Sequence, residues 1–469
     1  MTRNIFVVGL LLVVFLACQP TPSIPASTTT ASPTSTSSNV LSDEEFLNQM
    51  AKDTWLYLSS DWARANHMPW SWRSETSNGG DFANTTEIGL LALSWIGAYE
   101  MGADWSPERH EVETEVIAIL DQLEAWQSGT QTSQPHGPNI FNNSVFYQWY
   151  WINWNPPVVG SGEIDQVVPS IDNAFLAASL ITIREYSESN SHPVMAQKAN
   201  NILQDMDFRL WYDENQFIFR LGDTNDPKGG VWADYYSNEN RIVNFIARVL
   251  GQLSTEEFQT SLNKLTQFSA TYDRGTADTG DDIAVNKVAW DGSYFTYTAP
   301  ALFMREIETS YGDTTITPAT EAQIAYAEDK GYKAWGFSDS YDLRLEGYLQ
   351  QGAPPTGMST APETRPGLIT PHASGLALIT PLASVATDNL QAISMTFPSL
   401  YEPSRGFRDS VVTDPASQDF GKTSDRFSAL SQEWLFLSIV NAETGFIWNY
   451  FYQDESVSQA HLEMVQVVK

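Results

Sequence analysis

The sequence predicts an all-α protein, a ring of helical hairpins with a few short strands in its loops. Helix start signals recur from Ser42 onward and are followed by apolar residues near helical spacing. Helices rich in small and apolar residues alternate with more amphipathic ones, as expected if an inner ring is surrounded by an outer one. The chain has neither a strand–helix alternation nor a series of evenly spaced strands, which argues against a doubly wound sheet or a β-sandwich.

The individual elements follow from local signals. Ser42 with Glu45, and Ser254 with Glu257, form capping boxes, and Pro107 marks the first turn of another helix. Short strands are predicted around residues 216–221 and 407–412. Two of the predicted helices begin at residues 42 and 254. The others cover residues 87–99, 106–126, 172–186, 191–206, 237–250, 294–306, 317–330, 367–379, 385–395, 427–442 and 455–467.

Composition excludes several classes of protein. The chain has 469 residues, with 25 Lys and Arg against 57 Asp and Glu, for a net charge of −32. Such a charge argues against binding nucleic acid or anionic lipid, because phosphate contacts need clustered Lys and Arg. Cys18 is the single cysteine, so a disulfide scaffold and a cysteine-based metal site are excluded. No metal-binding or nucleophile motif is present, and no metal site or cofactor is predicted.

The N-terminus is predicted to direct export. Residues 1–17 carry Arg3, a short apolar run and a small residue before Cys18, as in a lipoprotein signal peptide. Residues 18–41 are rich in Ser, Thr and Pro and are expected to form an extended tether, followed by a single domain over 42–469. We therefore expect an exported protein of a bacterial cell envelope, lipid-anchored through Cys18. The alternative is an ordinary secretory signal with an incidental cysteine.

Aromatic residues are concentrated in the segments between helices. Tryptophan and tyrosine stand beside Asp, Asn and Arg around Trp70, Trp151, Trp232 and Trp290. Sugar CH faces stack on aromatic rings while hydroxyl groups need polar partners, so this pattern indicates a carbohydrate cleft. The alternative is that these rings fill the core beneath long loops.

Carboxylates beside these aromatic residues are the candidates for catalysis. Glycoside cleavage needs one protonated carboxyl at the leaving oxygen and a second carboxylate that activates water or attacks directly. Asp165 and Asp172 lie seven residues apart across a loop that leads into a helix. The other candidates for the site are Asp234, Glu239, Arg241, Asp291, Asp339 and His372.

Several segments together resemble the bacterial glucoamylase-like domain family, which includes endo-β-1,2-glucanases and a domain of cyclic β-1,2-glucan synthases. The matching segments are TTEIGLLAL at 85–93, SIDNAFLAA at 170–178, MDF at 206–208, NENR at 238–241, WDGSYF at 290–295, WGFS at 335–338, TPHAS at 370–374 and RGFRDS at 405–410. The resemblance implies an (α/α)6 barrel and inverting hydrolysis of a glucan by carboxylates at the barrel mouth. The family has acidic residues in the loop before the third long helix, and the resemblance implies that Asp165 and Asp172 correspond to them in this sequence.

The chain departs from the family pattern at three acidic positions. Thr296 and Asp339 stand where the family often has Glu, and Ser431-Gln432-Glu433 stands where it often has Asp-Gln-Gly. These departures weaken the implication of β-1,2-glucan as the substrate.

The leading hypothesis is a lipid-anchored glycoside hydrolase acting on a glucan, with an oligo- or polysaccharide as its partner and a monomeric state. Asp172 is the first choice for the general acid, and Asp165 or Asp339 would activate water. Residues predicted to hold the sugar are Trp151, Trp232, Asp234, Glu239, Arg241, Asp291, Trp335 and His372. The alternative is a carbohydrate-binding lipoprotein without turnover. A lyase or phosphorylase is less favoured, since no basic pocket is evident.

One acidic loop, residues 278–282, offers oxygen ligands of the kind that calcium prefers. Its spacing is not that of an EF-hand, and the favoured interpretation is a solvated loop without a metal.

Overall fold

Fourteen α-helices dominate the part of the chain that the computed structural model describes, which is residues 41–77, 79–130, 132–133, 137–159, 166–343, 347–357 and 365–467. The predicted signal peptide, Cys18, nearly all of the tether and Asp165 lie outside these described residues. The helices are α1 Asp43–Leu58, α2 Thr85–Glu100, α3 Arg109–Gln127, α4 Ser170–Ser189, α5 Pro193–Asp205, α6 Asn240–Val249, α7 Thr255–Lys264, α8 Tyr294–Thr298, α9 Thr317–Lys330, α10 Pro371–Ala377, α11 Ala383–Thr396, α12 Ala429–Thr444, α13 Phe446–Phe451 and α14 Glu455–Val467.

The strands are short and lie in the connections between helices. They are β1 Arg64–Ala65, β2 Met68–Pro69, β3 Trp72–Ser74, β4 Phe82–Asn84, β5 Thr132–Ser133, β6 Gly137–Pro138, β7 Ile140–Phe141, β8 Val145–Phe146, β9 Trp149–Trp151, β10 Val158–Val159, β11 Tyr212–Asp213, β12 Ile218–Phe219, β13 Ala270–Tyr272, β14 Ile283–Val285, β15 Ser340–Tyr341, β16 Tyr348–Leu349, β17 Leu368–Ile369, β18 Tyr401–Glu402, β19 Gly406–Phe407, β20 Val411–Val412 and β21 Arg426–Ser428. Within the described ranges they form two-stranded antiparallel ladders, apart from the three-stranded sheet β10-β9-β4. The prediction of a mainly helical fold with short strands in its loops is confirmed.

Both predicted capping boxes are present. The Ser42 side chain accepts from the backbone N–H of Glu45, whose carboxylate accepts from the Ser42 N–H at 2.9 Å. The same reciprocal pair joins Ser254 and Glu257 at the start of α7. Each box satisfies backbone donors that the first helical turn leaves unpaired.

Several helix boundaries differ from the prediction, each for a local reason. Helix α8 ends at Thr298 because Pro300 opens a 3₁₀ turn, and α10 begins only at Pro371 because Leu368–Ile369 pairs with β20. Helix α13, missed in the sequence, follows Gly445, whose φ of +69° ends α12.

We call the even-numbered helices from α2 to α12 the inner helices. Helix α2 packs against α4 and α12, α4 against α6, and α10 against both α8 and α12. The odd-numbered helices α1, α3, α5, α7, α9 and α11 each pack against at least one of them. Every residue of α2 from Thr85 to Ala98 is buried. Gly89 lets α4 approach closely, since a Cβ there would lie 3.0 Å from the Ser179 hydroxyl.

None of the helices in the described ranges is both long enough and apolar enough to cross a membrane.

Candidate active site

The N-terminal ends of the inner helices meet at one end of the molecule. Thr86 in the first turn of α2 donates to the Asp172 carboxylate in the first turn of α4 at 2.8 Å. The Ser338 hydroxyl lies 3.1 Å from Nε2 of His372 on α10 and 3.0 Å from the hydroxyl of Ser293, the N-cap of α8. This end favours negative charge, because helix N-termini carry unpaired N–H groups and a partial positive charge.

The inner helices α2 and α12 are joined at this end through Ser71. Its carbonyl accepts from the N–H of Ala429 at 2.9 Å, and its hydroxyl donates to Glu87 at 2.8 Å. Glu87 is buried and completes a capping box with Asn84 at 2.7 Å. Burial raises the pKa of Glu87 to about 7 against the effect of these hydrogen bonds, and the charge of Asp172 adds to the rise.

Asp172 is partly exposed at the start of α4. Burial of its carboxyl raises the pKa above the ordinary value, while hydrogen bonds from the side chains of Thr86 and Asn84 oppose that rise. These donors favour the ionised form and hold the carboxyl of Asp172 in a fixed orientation.

Glu239 lies near enough to Asp291 and Asp172 for both of their charges to act on it. It is the partly exposed N-cap of α6. Burial of its carboxyl raises its pKa to about 7, and the charges of Asp291 and Asp172 contribute to the rise although Arg241 opposes it. A carboxyl with this pKa can keep its proton near neutral pH and still exchange it.

Asp291 and Asp339 form a second interacting pair. Asp291 is partly exposed and accepts from the Ser293 N–H at 3.0 Å, while the buried Asp339 accepts from the Gln351 N–H at 2.9 Å. Burial and then the charge of Asp291 hold the pKa of Asp339 well above its ordinary value. Asp339 is therefore the member of the pair that keeps a proton.

Asp409 was not predicted as a site residue and lies beside the same group of acids. It is buried and accepts from the Ser431 hydroxyl at 2.6 Å and the Tyr341 N–H at 2.5 Å. Burial raises its pKa to about 6. The pKa of Tyr348 is raised first by burial and then by the charges of Asp339 and Asp409. The Tyr348 hydroxyl therefore lies near both carboxyls. We call Glu87, Asp172, Glu239, Asp291, Asp339 and Asp409 the carboxyl cluster.

Glu433 lies behind the cluster on α12. Its side chain is fully buried, and neither carboxyl oxygen accepts a hydrogen bond within the described residues. Burial and the charge of Glu87 hold its pKa well above the ordinary value, so Glu433 is uncharged near neutral pH. The only sequence signal for Glu433 was that it stands at a position where the family often has Gly, two residues after Ser431.

Three residues that were predicted to contact the sugar have buried side chains, and the prediction is corrected for each of them. Arg241 is fully buried and directs its guanidinium at Glu306, with Nε 2.9 Å from both carboxylate oxygens. The Trp335 ring packs in the core edge-on to Tyr294. His372 is held between Thr370 and Ser338, and burial lowers its pKa to about 3, which makes it a neutral structural residue.

The other predicted contacts are partly exposed but not all open to a sugar. The Arg220 guanidinium lies 3.2 Å over the Trp232 ring and covers that face. Trp151 packs edge-on to Phe82 with ring centroids 6.0 Å apart. Asp234 lies in the loop before α6, where burial raises its pKa.

The acidic loop has internal partners for two of its carboxylates. Asp278 accepts from the Gly280 N–H at 2.9 Å, and Asp281 accepts from the Thr276 hydroxyl at 2.9 Å. Among the described residues, no group of three or more His, Cys, Asp or Glu side chains could hold a metal ion.

Comparison with known proteins finds a family that part of the chain resembles. Residues 233–455 match the family model described as "Putative glucoamylase". This segment is similar to that family. It contains Glu239, Asp291, Asp339 and Asp409 of the carboxyl cluster. No curated protein sequence matches the chain.

Solved structures extend the likeness in fold across nearly the whole chain. A "putative glucoamylase" from Bacteroides caccae is 16% identical, with a TM-score of 0.72 over 90% of this chain and 99% of that one. An endo-β-1,2-glucanase from Chitinophaga pinensis, in complex with sophorotriose and glucose, is 15% identical, with a TM-score of 0.71 over 91% and 98%. An endo-β-1,2-glucanase from Talaromyces funiculosus in complex with sophorose is 14% identical, with a TM-score of 0.72 over 92% of each chain. The fold is shared, and the resemblance predicted from the sequence is confirmed.

Proposed function

We propose that the protein is a glycoside hydrolase that cleaves a glucan, with β-1,2-glucan as the first substrate to test. The observation that carries the proposal is the convergence of carboxyls from three inner helix starts and three loop positions, with the pKa of Glu87 and of Glu239 each raised to about 7. Acid/base cleavage of a glycoside needs one carboxyl that stays protonated beside one that is ionised. The complexes of the Chitinophaga and Talaromyces enzymes with β-1,2-linked sugars favour that linkage.

Glu239 is the proposed general acid. It combines partial exposure with a pKa of about 7, so it can hold a proton at neutral pH and still reach a leaving oxygen. This replaces the sequence-based choice of Asp172. Glu87 has a similar pKa, but it is buried and caps α2.

Asp172 is the proposed carboxylate that activates water. It is partly exposed, and the hydrogen bonds from Thr86 and Asn84 favour its charged form. Its charge also contributes to the raised pKa of Glu239, which suits a pair in which one carboxyl is ionised and the other protonated. Asp339 suits this role less, because it is buried and keeps its proton.

The test is reducing-sugar release from a panel of β-glucans that includes linear β-1,2-glucan. Loss of an acid or base is expected to lower kcat by about 10²–10⁴-fold in Glu239→Gln and in Asp172→Asn. The matched control is Glu256→Gln, an exposed acid on α7, which should keep full activity. Full activity in both cluster variants would overturn the assignment. Binding seen by calorimetry without any product would instead support a carbohydrate-binding protein.

We further propose that the inner and outer helices close into an (α/α)6 barrel and that cleavage inverts the anomeric configuration, as the family resemblance implies. Support for closure comes from Arg241 on α6, which donates to the carbonyls of Thr296 and Tyr297 on α8 at 3.1 and 2.7 Å. Proton NMR of the first product anomer tests inversion, and an experimental structure tests closure.

We also propose that the chain is exported and anchored by a lipid on Cys18, as a monomer. The sequence before Cys18 supports this. Metabolic labelling with palmitate in a bacterial host should mark the wild type and not Cys18→Ser. Equal labelling of both would exclude the anchor, and light scattering of the domain tests the monomer.

A further inference from the structure

Three aromatic rings form an exposed patch that the carboxyl cluster does not include. Trp290 is 50% exposed and Phe268 is 41% exposed. The partly exposed Tyr235 lies between them, edge-on to Trp290 at 5.6 Å and stacked on Phe268 at 6.1 Å between ring centroids. We call these three residues the aromatic platform.

Hydrogen bonds fix the three loops that carry the platform. The Trp290 N–H donates to the Asn238 side chain at 3.0 Å, and the Val288 N–H donates to the Phe268 carbonyl at 2.7 Å. Next to Tyr235, the Tyr236 N–H donates to the Thr266 carbonyl at 3.0 Å. The backbone that carries each ring is therefore held in place before any ligand binds, which lowers the entropic cost of binding.

The segments that carry the platform adjoin those that carry the carboxyl cluster. Trp290 directly precedes Asp291, and Asn238, which fixes the Trp290 backbone, directly precedes Glu239. Consecutive Cα atoms lie about 3.8 Å apart. A chain molecule that reaches Glu239 can therefore continue onto the platform.

We infer that the aromatic platform is a binding subsite for glucose units of a glucan chain beyond the bond that is cleaved. The inference rests on the proposed function for the identity of the ligand. The apolar CH faces of a pyranose stack on aromatic rings, while its hydroxyl groups remain in water, so a half-exposed platform suits a sugar. Continuity with Glu239 and Asp291 favours a chain-like saccharide over a protein as the occupant.

The first experiment measures binding without turnover. Linear β-1,2-glucooligosaccharides of two to ten glucose units are titrated calorimetrically into Glu239→Gln and into the same variant carrying Trp290→Ala. Affinity for long chains should fall about tenfold in the double variant, and affinity for the disaccharide should stay the same. Trp105→Ala is the matched control, because this ring lies beyond the C-terminal end of α2, away from Glu87.

A second measurement does not depend on activity or on the Ala variant folding. N-bromosuccinimide should oxidise the exposed Trp290 in Glu239→Gln, and a long oligosaccharide bound to this variant should slow that oxidation, as followed by peptide mass mapping. Oxidation at an unchanged rate in the presence of bound oligosaccharide would overturn the subsite.

The outcomes separate the two proposals. Binding that depends on Trp290 and on chain length, without any released sugar, would reject hydrolysis and keep the platform. Hydrolysis with equal KM for long chains in wild type and Trp290→Ala would reject the platform and keep the enzyme. A dimer that Trp290→Ala converts to a monomer would show that a second copy of the chain covers the patch, which also overturns the subsite.

Discussion

Asp172 on α4 accepts a hydrogen bond at 2.8 Å from the hydroxyl of Thr86 on α2. Both residues lie in the first turn of their helix, so this contact fixes the two helix starts against each other and orients a carboxylate at their junction. The hydroxyl also favours the charged form of Asp172. One side-chain contact thus serves both the packing of the inner helices and the electrostatics of the carboxyl cluster.

Replacing Thr86 with valine should change the pH dependence of the proposed activity. A hydrogen bond to a charged group is worth roughly 1.5–3 kcal/mol, and about 1.4 kcal/mol corresponds to one pKa unit. The pKa of Asp172 should therefore rise by about one unit, and the acidic limb of the kcat/KM profile should move upward by the same amount. Thr114→Val, an exposed threonine on α3, is the control. An unmoved acidic limb would exclude Asp172 as the ionised group.

Asp291→Asn should move the other limb of that profile. The charge of Asp291 is one of the causes that raise the pKa of Glu239 to about 7, so its removal should lower that pKa. Because the proposed acid must be protonated, the basic limb should then shift to lower pH. The measurement is kcat/KM from pH 4 to 9, with Asp313→Asn as an exposed control. A basic limb at the wild-type position would assign the acid to another residue.

Glu433→Gln should remove a pH-dependent loss of stability. Burial and Glu87 raise the pKa of Glu433 above its ordinary value of 4.5. Below pH 4.5 both the folded and the unfolded chain hold the Glu433 proton, so this residue does not change the free energy of unfolding with pH. Above pH 4.5 only the unfolded chain releases the Glu433 proton. The free energy of unfolding of the wild type therefore falls by about 1.4 kcal/mol per pH unit until the raised pKa is reached.

The melting temperatures of wild type and Glu433→Gln should therefore diverge as the pH rises from 4.5 to 7.5, in favour of the variant. Glu44→Gln, an exposed acid on α1, should follow the wild type throughout. Parallel curves for Glu433→Gln and wild type would mean that Glu433 is ionised in the folded protein.

Breaking the buried pair of Arg241 and Glu306 should strongly destabilise the fold. Glu306→Gln leaves a fully buried guanidinium without its carboxylate, which typically costs about 3–5 kcal/mol of unfolding free energy. Urea denaturation measures the loss. Glu328→Gln, which breaks an exposed pair with Arg274, should change stability little. Equal stability of the two variants would contradict a structural role for Arg241.

Local sequence signals predicted most of the helices, because each signal acts within a few residues. Ser42 with Glu45 and Ser254 with Glu257 begin helices as predicted. The prediction failed where distant pairing decided the outcome. Residues 368–369 read as the start of a helix but form a ladder with Val411–Val412, more than forty residues away.

The candidate site could be predicted only in part. Asp172, Glu239, Asp291 and Asp339 were found because they stand beside aromatic residues or in segments that carry the family resemblance. Glu87 has a capping-box sequence, and nothing in that pattern distinguishes a helix cap from a member of a carboxyl cluster. Trp335 and Arg241 show the opposite error, because both were predicted to contact the sugar and both are buried. The sequence around a residue does not tell whether its side chain lies in the core or in a cleft.

The sequence by itself determined the helical class, the helix starts and the family resemblance, because capping, periodicity and motif order are local or linear properties of the chain. Only the tertiary structure decided which of the 57 acidic residues lie together. The pKa of each carboxyl depends on burial and on charges contributed by other segments, as when Asp291 and Asp172 act on Glu239. Those neighbours are far apart in the chain and meet only when the inner helices pack with their N-terminal ends together.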